Sequence, residues 1–235
     1  MVIIYDFDGT LTPYSYPQYK ILKDCGYDDE KLIKRIKKTI KETHETLYDA
    51  YFKVYKKILI ENNKSYSYKN INYGADKVVF NKGVIEYFED LNHKKTGITH
   101  IILTSGIKSY IENTKLKKYV DEIYGTTFKE KNGKIIGIEK KINDYEKVEI
   151  IKQILNKYNT NNIIYIGDGL TDLHAFKYVK SIGGKSILLT DKDNDKLYLD
   201  NKKIIDKVFK RDYRKGKALR NYIEKEIDTY RNKVE

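Results

Sequence analysis

Cysteine, proline and arginine are all scarce in this chain, and each scarcity excludes something. The single cysteine, Cys25, rules out an intramolecular disulfide framework and fits a reducing compartment, so the cytoplasm is the expected location. No histidine lies near Cys25 in sequence, which argues against a nucleophilic thiol. No apolar run reaches the roughly 18 residues of a membrane span. An apolar strand that starts at residue 2 also leaves no room for a signal peptide. The net charge is +12, yet nearly all of it is lysine interspersed with Glu, Asp and Asn; arginine stands only at 35, 211, 214, 220 and 231. Base readout favours arginine, and a nucleic-acid face gathers its charge, so nucleic acid is not the expected partner. A dispersed lysine surface instead raises the local concentration of small anions. Both prolines, Pro13 and Pro17, fall in one aromatic, turn-rich stretch that reads as a loop. With 40% hydrophobic residues over 235 positions, the chain can bury one large domain, or one domain with an insertion.

The stretch that organises the rest is Val2-Ile3-Ile4-Tyr5-Asp6-Phe7-Asp8-Gly9-Thr10. A short apolar run of this kind makes a strand buried on both faces, as in a parallel sheet. It ends in two carboxylates one residue apart, at the strand end where open parallel sheets bind ligands. Gly9 lets the chain bend away, so that Asp6 and Asp8 can reach one centre. Adjacent carboxylates repel unless a cation or a shared proton separates them, which predicts a metal or a perturbed acid. Alone, the motif reads equally well as an acidic turn.

The next segment is helical. A short helix is expected over Gln18 to Lys23. Asp28, Asp29 and Glu30 then open a helix carrying Leu32, Ile33, Ile36 and Ile40, and a second stripe runs from Leu47 to Leu59, with a break at Thr43 to Thr46. Asn81-Lys82-Gly83 opens another helix. Residues 15–78 therefore read as a helical insertion over the crevice, flanked by a core of 1–14 and 79–235. The tyrosines Tyr14, Tyr16, Tyr48, Tyr51 and Tyr55 read either as helix packing, the commoner case, or as the lining for an aromatic or nucleoside phosphate.

A second strand, Thr99 to Thr104, ends in Ser105-Gly106, a hydroxyl beside backbone N–H groups that suits an anion. Asn132-Gly133 predicts a hairpin between strands near Gly125–Lys129 and Lys134–Glu139. Lys147 stands in the first turn of a helix from Asp144 to Asn156, a poor place for a cation unless an anion is nearby. A third strand, Asn162 to Ile166, runs into Gly167-Asp168-Gly169-Leu170-Thr171-Asp172. Its hard oxygen donors suit Mg²⁺, whereas His174 reads as a packing residue. Beyond it, Lys185–Leu189 reads as a fourth buried strand, Ile204–Phe209 as an edge strand and Lys215–Arg231 as a closing helix.

In combination, Asp6-Phe7-Asp8-Gly9-Thr10, Thr104-Ser105-Gly106, Lys147 and Gly167 to Asp172 resemble the four motifs of the haloacid dehalogenase-like hydrolase superfamily. The helical insertion and the hairpin are similar to its phosphoserine phosphatase branch. The resemblance implies a three-layer, Rossmann-like α/β core with a helical cap, and a cytoplasmic phosphatase acting on a small phosphorylated metabolite. It implies Asp6 as nucleophile, Asp8 as general acid and base, and Ser105, Gly106 and Lys147 on the phosphoryl oxygens. It further implies Mg²⁺ held by Asp6, Asp8 (through its main-chain carbonyl) and Asp168, with Asp172 behind them on Lys147 or a metal-bound water. Two departures weigh against phosphoserine itself: tyrosines and a proline stand where that branch has an acid, and Arg35 is the one arginine in the insertion. A phosphotransferase of this fold, or an idle basic protein binding RNA or another anion, are the alternatives.

Overall fold

The computed structural model describes residues 1–14, 19–92, 96–193 and 195–232. The described strands are β1 (Val2–Tyr5), β2 (Thr99–Ile107), β3 (Glu122–Lys131), β4 (Lys134–Lys140), β5 (Ile163–Gly167), β6 (Lys185–Leu189) and β7 (Lys207–Phe209). They form one sheet in the order β4-β3-β2-β1-β5-β6-β7. Every pairing is parallel except β3 with β4. That pair turns at Asn132 and Gly133, both with positive φ (51° and 70°), as a tight hairpin requires.

Helices α1 (Lys20–Asp24), α2 (Asp29–Thr43), α3 (Leu47–Glu61) and α4 (Tyr68–Ile71) lie between β1 and α5 (Val84–Asp90). After β2 come α6 (Lys108–Glu112), α7 (Asp144–Lys157), α8 (Leu173–Ser181), α9 (Lys196–Asp200) and α10 (Ala218–Arg231). β1 is flanked by strands on both sides, so its alternate residues feed two cores. Ile3 and Tyr5 pack with Val84, Tyr87 and Phe88 of α5 and Ile223 of α10, whereas Val2 and Ile4 pack with Ile151 and Ile154 of α7 and Phe176 of α8. Burial on both faces is why the strand is apolar throughout, each fully buried aliphatic side chain contributing about 1.5–3 kcal/mol. No helix among the described residues is long and apolar enough to cross a membrane.

Helices α1–α3 share a third core, with Leu32, Ile36, Val54, Ile58 and Leu59 packed against Phe128 and Ile135 of the β3–β4 hairpin. The two long helices, α2 and α3, part where the polar stretch predicts. His44 ends α2 in the left-handed conformation (φ 55°), and the Thr46 side chain accepts from the Asp49 N–H to start α3.

Some boundaries differ from expectation. α1 runs from Lys20 to Asp24, with Gln18 outside the described residues. The edge strand starts at Lys207, because the N–H groups of Ile204 and Ile205 turn back to the Asn201 carbonyl. The closing helix starts at Ala218, since Lys217 bonds back to Arg214 in a turn. β2 does not stop at Thr104 but continues to Ile107 through a register shift against β3.

Candidate active site

The Asp6 N–H donates to the Ile166 carbonyl (2.8 Å), so pairing with β5 carries one residue past β1 and delivers the Asp6 carboxylate at the sheet's C-terminal edge. The chain then folds on itself, the N–H groups of Thr10, Leu11 and Thr12 all donating to the Phe7 carbonyl. Gly9 has φ +75°, and a Cβ there would lie 1.9 Å from Asp168 Oδ2. Both the bend and the entry of Asp168 therefore require glycine. The Asn81 side-chain amide pins the loop by donating to the carbonyls of Thr10 and Thr12.

Behind the loop lies a fully buried ion pair. Lys147 Nζ is 2.7 Å from Asp172 Oδ1 and 3.4 Å from Asp6 Oδ1. The Asn143–Glu146 capping box fixes the start of α7 and hence the lysine's position. Asp172 is saturated: Oδ1 accepts also from the Tyr165 hydroxyl (2.6 Å), and Oδ2 accepts from the N–H groups of Asp168 (3.1 Å) and Gly169 (3.2 Å). It orients Lys147 and the Gly167–Gly169 turn and has no lone pair to spare.

Burial pushes the Asp6 carboxyl up to about 7; Lys147 pulls it down, while Asp172 and Asp168 repel its charge. Burial raises Asp8 well above the usual carboxylate range, with Asp6 and Asp168 adding to the effect. Burial alone would lower Lys147, but Asp172 and Asp6 more than offset it, and the lysine titrates well above its ordinary value. Two carboxyl groups and one permanent cation thus share a dry site, the pattern from which acid–base assignments arise.

The register shift in β2 shapes the opposite wall. The Gly106 N–H donates to Thr104 Oγ1 (3.0 Å) and the Ile107 N–H to the Tyr19 hydroxyl (3.1 Å), while the buried Ser105 Oγ lies beside the Tyr48 hydroxyl without a well-formed hydrogen bond. Bulges of this kind often re-aim side chains beside active sites. A Cβ on Gly106 would lie 3.1 Å from Asp8 Oδ2, so glycine here lets Asp8 lie close.

Carboxylate oxygens of Asp6, Asp168 and Asp172 lie within 4.8 Å of one another. With Asp172 saturated, Asp6 and Asp168 remain, and the buried Asp6 Oδ1 makes no hydrogen bond. An all-oxygen donor set with an orphaned carboxylate oxygen fits a hard divalent cation such as Mg²⁺. His174 stands apart, its ring 4.4 Å from that of Tyr145.

Two residues escaped the reading of the sequence. Tyr165 reads in the sequence only as a residue of the third strand, although its hydroxyl holds Asp172. Arg211 reaches the Asp168 side of the site, with Nη2 3.3 Å from Asp168 Oδ2, Nη1 2.9 Å from Asp191 Oδ2 and Nε donating to the Gly9 carbonyl. An arginine in so lysine-rich a chain was the available signal. Arg35, in contrast, pairs with both Glu61 carboxylate oxygens at 2.7 Å and takes no part in the site.

Above Asp6, Asp8 and Ser105 opens a cavity of about 310 Å³, closed on the far side by Leu47, Tyr48, Tyr51 and Phe52 of α3. Tyr14 lines a different cavity and Tyr55 stacks on Tyr19 within the inserted core. Tyr16 lies outside the described residues.

Comparison with known proteins gives a consistent result. Residues 3–177 match the model of the haloacid dehalogenase-like hydrolases. A phosphoserine phosphatase, solved as a phospho-aspartyl intermediate analogue, superposes with a TM-score of 0.65 at 18% identity, covering 95% of this chain and 97% of its own. A substrate-bound phosphoserine phosphatase gives 0.65 at 19% identity over the same shares. A HAD family hydrolase, t0658, from Salmonella enterica serovar Typhi gives 0.64 at 18%, covering 90% of this chain and 68% of that one. These likenesses are of fold. No curated protein sequence matches the chain.

Proposed function

This chain belongs to the haloacid dehalogenase-like hydrolase family, and on that footing we propose that it is a Mg²⁺-dependent phosphatase that cleaves a small phosphomonoester through an aspartyl-phosphate on Asp6. Residues 15–78 act in this reading as a helical cap over a core of 1–14 and 79–235. The observation that carries it is Asp6 itself, a residue that lines the cavity and whose Oδ1 makes no hydrogen bond but lies 3.4 Å from the buried Lys147 Nζ.

Asp6 attacks phosphorus, and the bond from phosphorus to the leaving oxygen breaks. Asp8, protonated because its carboxyl titrates so high, gives its proton to that oxygen. The Asp8 carboxylate then takes a proton from water, whose oxygen displaces Asp6 and frees phosphate. Ser105 Oγ and Lys147 Nζ bind the non-bridging oxygens, offsetting the charge spread over them in the transition state. Mg²⁺, when held by Asp6, Asp168 and the Asp8 carbonyl, supplies further charge neutralisation. Purified protein should release inorganic phosphate from phosphomonoesters with Mg²⁺ and not with a chelator; no release from a broad panel would sink the proposal.

Two further results are expected. The folded-state pKa of Asp6 is raised from 3.8 to about 7, so the folded chain holds a proton that the unfolded chain has lost across that interval. Metal-free stability must then fall as pH rises from about 4 through 7. In chelator the melting temperature should be higher at pH 5.5 than at pH 8, and Mg²⁺ should raise it more at pH 8. Asp6→Asn should reduce the metal-free difference, leaving the part that the raised carboxyl of Asp8 contributes. The second concerns Gly106→Ala, whose methyl would press on Asp8 Oδ2 at 3.1 Å and on Thr104 Oγ1 at 3.3 Å. Displacing the acid by a few tenths of an ångström should lower kcat by about tenfold, with melting nearly unchanged.

A further inference from the structure

We infer that the leaving group of the substrate is an uncharged aromatic alcohol, held by Tyr51 and Phe52 of α3; the inference rests on the phosphatase reading and specifies its substrate class. Among the described residues, the carboxyl side chains lining the cavity are Asp6, Asp8 and Asp168, all at its reacting end, and no Lys, Arg or His lines it. The wall where a leaving group would lie offers Leu47, Tyr48, Tyr51 and Phe52 and no charge. An ammonium or carboxylate placed there would lose its water without gaining a partner, a heavy penalty. The insertion's one arginine is held by Glu61 and Tyr27 and cannot serve. Aromatic walls favour a ring, because edge-to-face pairing adds to area burial; Tyr51 and Phe52 already meet edge to face at 5.4 Å.

A second observation points to a ligand. The Tyr51 side chain is 8% exposed and its hydroxyl has no hydrogen-bond partner, although Asp8 lies near enough to help raise its pKa. The Tyr48 hydroxyl, by contrast, donates to Asp144. The Tyr55 hydroxyl of the same helix is also without a hydrogen-bond partner, but it is Tyr51 that lines the cavity, where its hydroxyl can bond the oxygen of the departing alcohol.

The test compares benzyl phosphate, n-propyl phosphate and O-phosphoserine, three alkyl esters that do not owe their differences to a phenolic leaving group. With Mg²⁺, kcat/KM for benzyl phosphate should exceed that for O-phosphoserine by on the order of 10²-fold, and that for n-propyl phosphate by about tenfold. Tyr51→Phe should raise KM for benzyl phosphate about three- to tenfold, with Mg²⁺ affinity by calorimetry unchanged. O-phosphoserine turned over as well as benzyl phosphate would overturn this inference and leave the phosphatase standing. Equal rates for benzyl and n-propyl esters would overturn the aromatic preference. An unchanged KM in Tyr51→Phe would remove that hydroxyl from the site. No turnover of any ester would overturn both readings.

Discussion

Asp6→Asn is expected to abolish phosphate release, with kcat lower by on the order of 10⁴-fold or more, since the group proposed to form the covalent bond is gone. The substitution is nearly isosteric, so loss of activity should not reflect loss of fold. Its effect on stability runs the opposite way. Burial is the largest influence holding the Asp6 carboxyl up near 7, and an amide carries no charge to desolvate. The metal-free variant at pH 8 should therefore melt above wild type, while Mg²⁺ protects it less because one ligand is weaker. Turnover within tenfold of wild type would falsify the covalent step. A variant melting well below wild type would refute the account of the buried charge.

The second large effect is expected at Lys147. Lys147→Met keeps most of the side-chain volume but leaves Asp172, fully buried, without its cation. Breaking a buried pair from one side costs about 3–5 kcal/mol. At this chain length that lowers the melting temperature by on the order of 10 °C, and activity should vanish with the phosphoryl contact. The sign with pH is fixed. The lysine's folded pKa is raised above its ordinary 10.5, so its stabilisation is complete below that value and is lost only as pH climbs beyond it. The deficit of the variant, measured by thermal unfolding, should nonetheless grow as pH rises through 7, because Asp6, no longer pulled down by the lysine, titrates higher still and its raised carboxyl loses stability with pH. Adding Asp172→Asn should recover part of the stability and none of the activity, because Asp172 anchors the turn that carries Asp168. A Lys147→Met protein as stable as wild type would mean that the pair is not the buried anchor described above.

Much of this arrangement is readable in one dimension because it depends on local pattern. The apolar run into Asp6 and Asp8, the Asn132-Gly133 turn and the polar break before Thr46 each encode their geometry within a few residues. What stayed hidden depends on partners far away in sequence. Lys147 in a first turn reads from its own neighbours as a misplaced cation; it is the resemblance, not local pattern, that points to Asp172, found 2.7 Å away. Tyr165 looks like one more core residue of an apolar strand until its hydroxyl is found on the same carboxylate. Nothing near Arg211 in sequence announces an acidic loop, and the continuation of β2 past Ser105 is set by its pairing with β3. The Gly106 N–H, legible as an anion donor, is held here by the Thr104 hydroxyl, which leaves the Ser105 hydroxyl as the donor at that turn.

The bond from Arg211 to the Gly9 carbonyl joins positions 202 residues apart. On the ribosome, the first acidic strand emerges long before its neighbour β5 or that arginine has been translated, so the nascent chain exposes an apolar strand with two unneutralised acids and no sheet to join. Synthesis at about 5–20 residues per second leaves it without its first partner strand, β2, for at least about five seconds and without Arg211 for at least about ten. Early segments are then expected to need shielding by chaperones, and hydrolysis cannot begin until translation has passed the far side of the sheet.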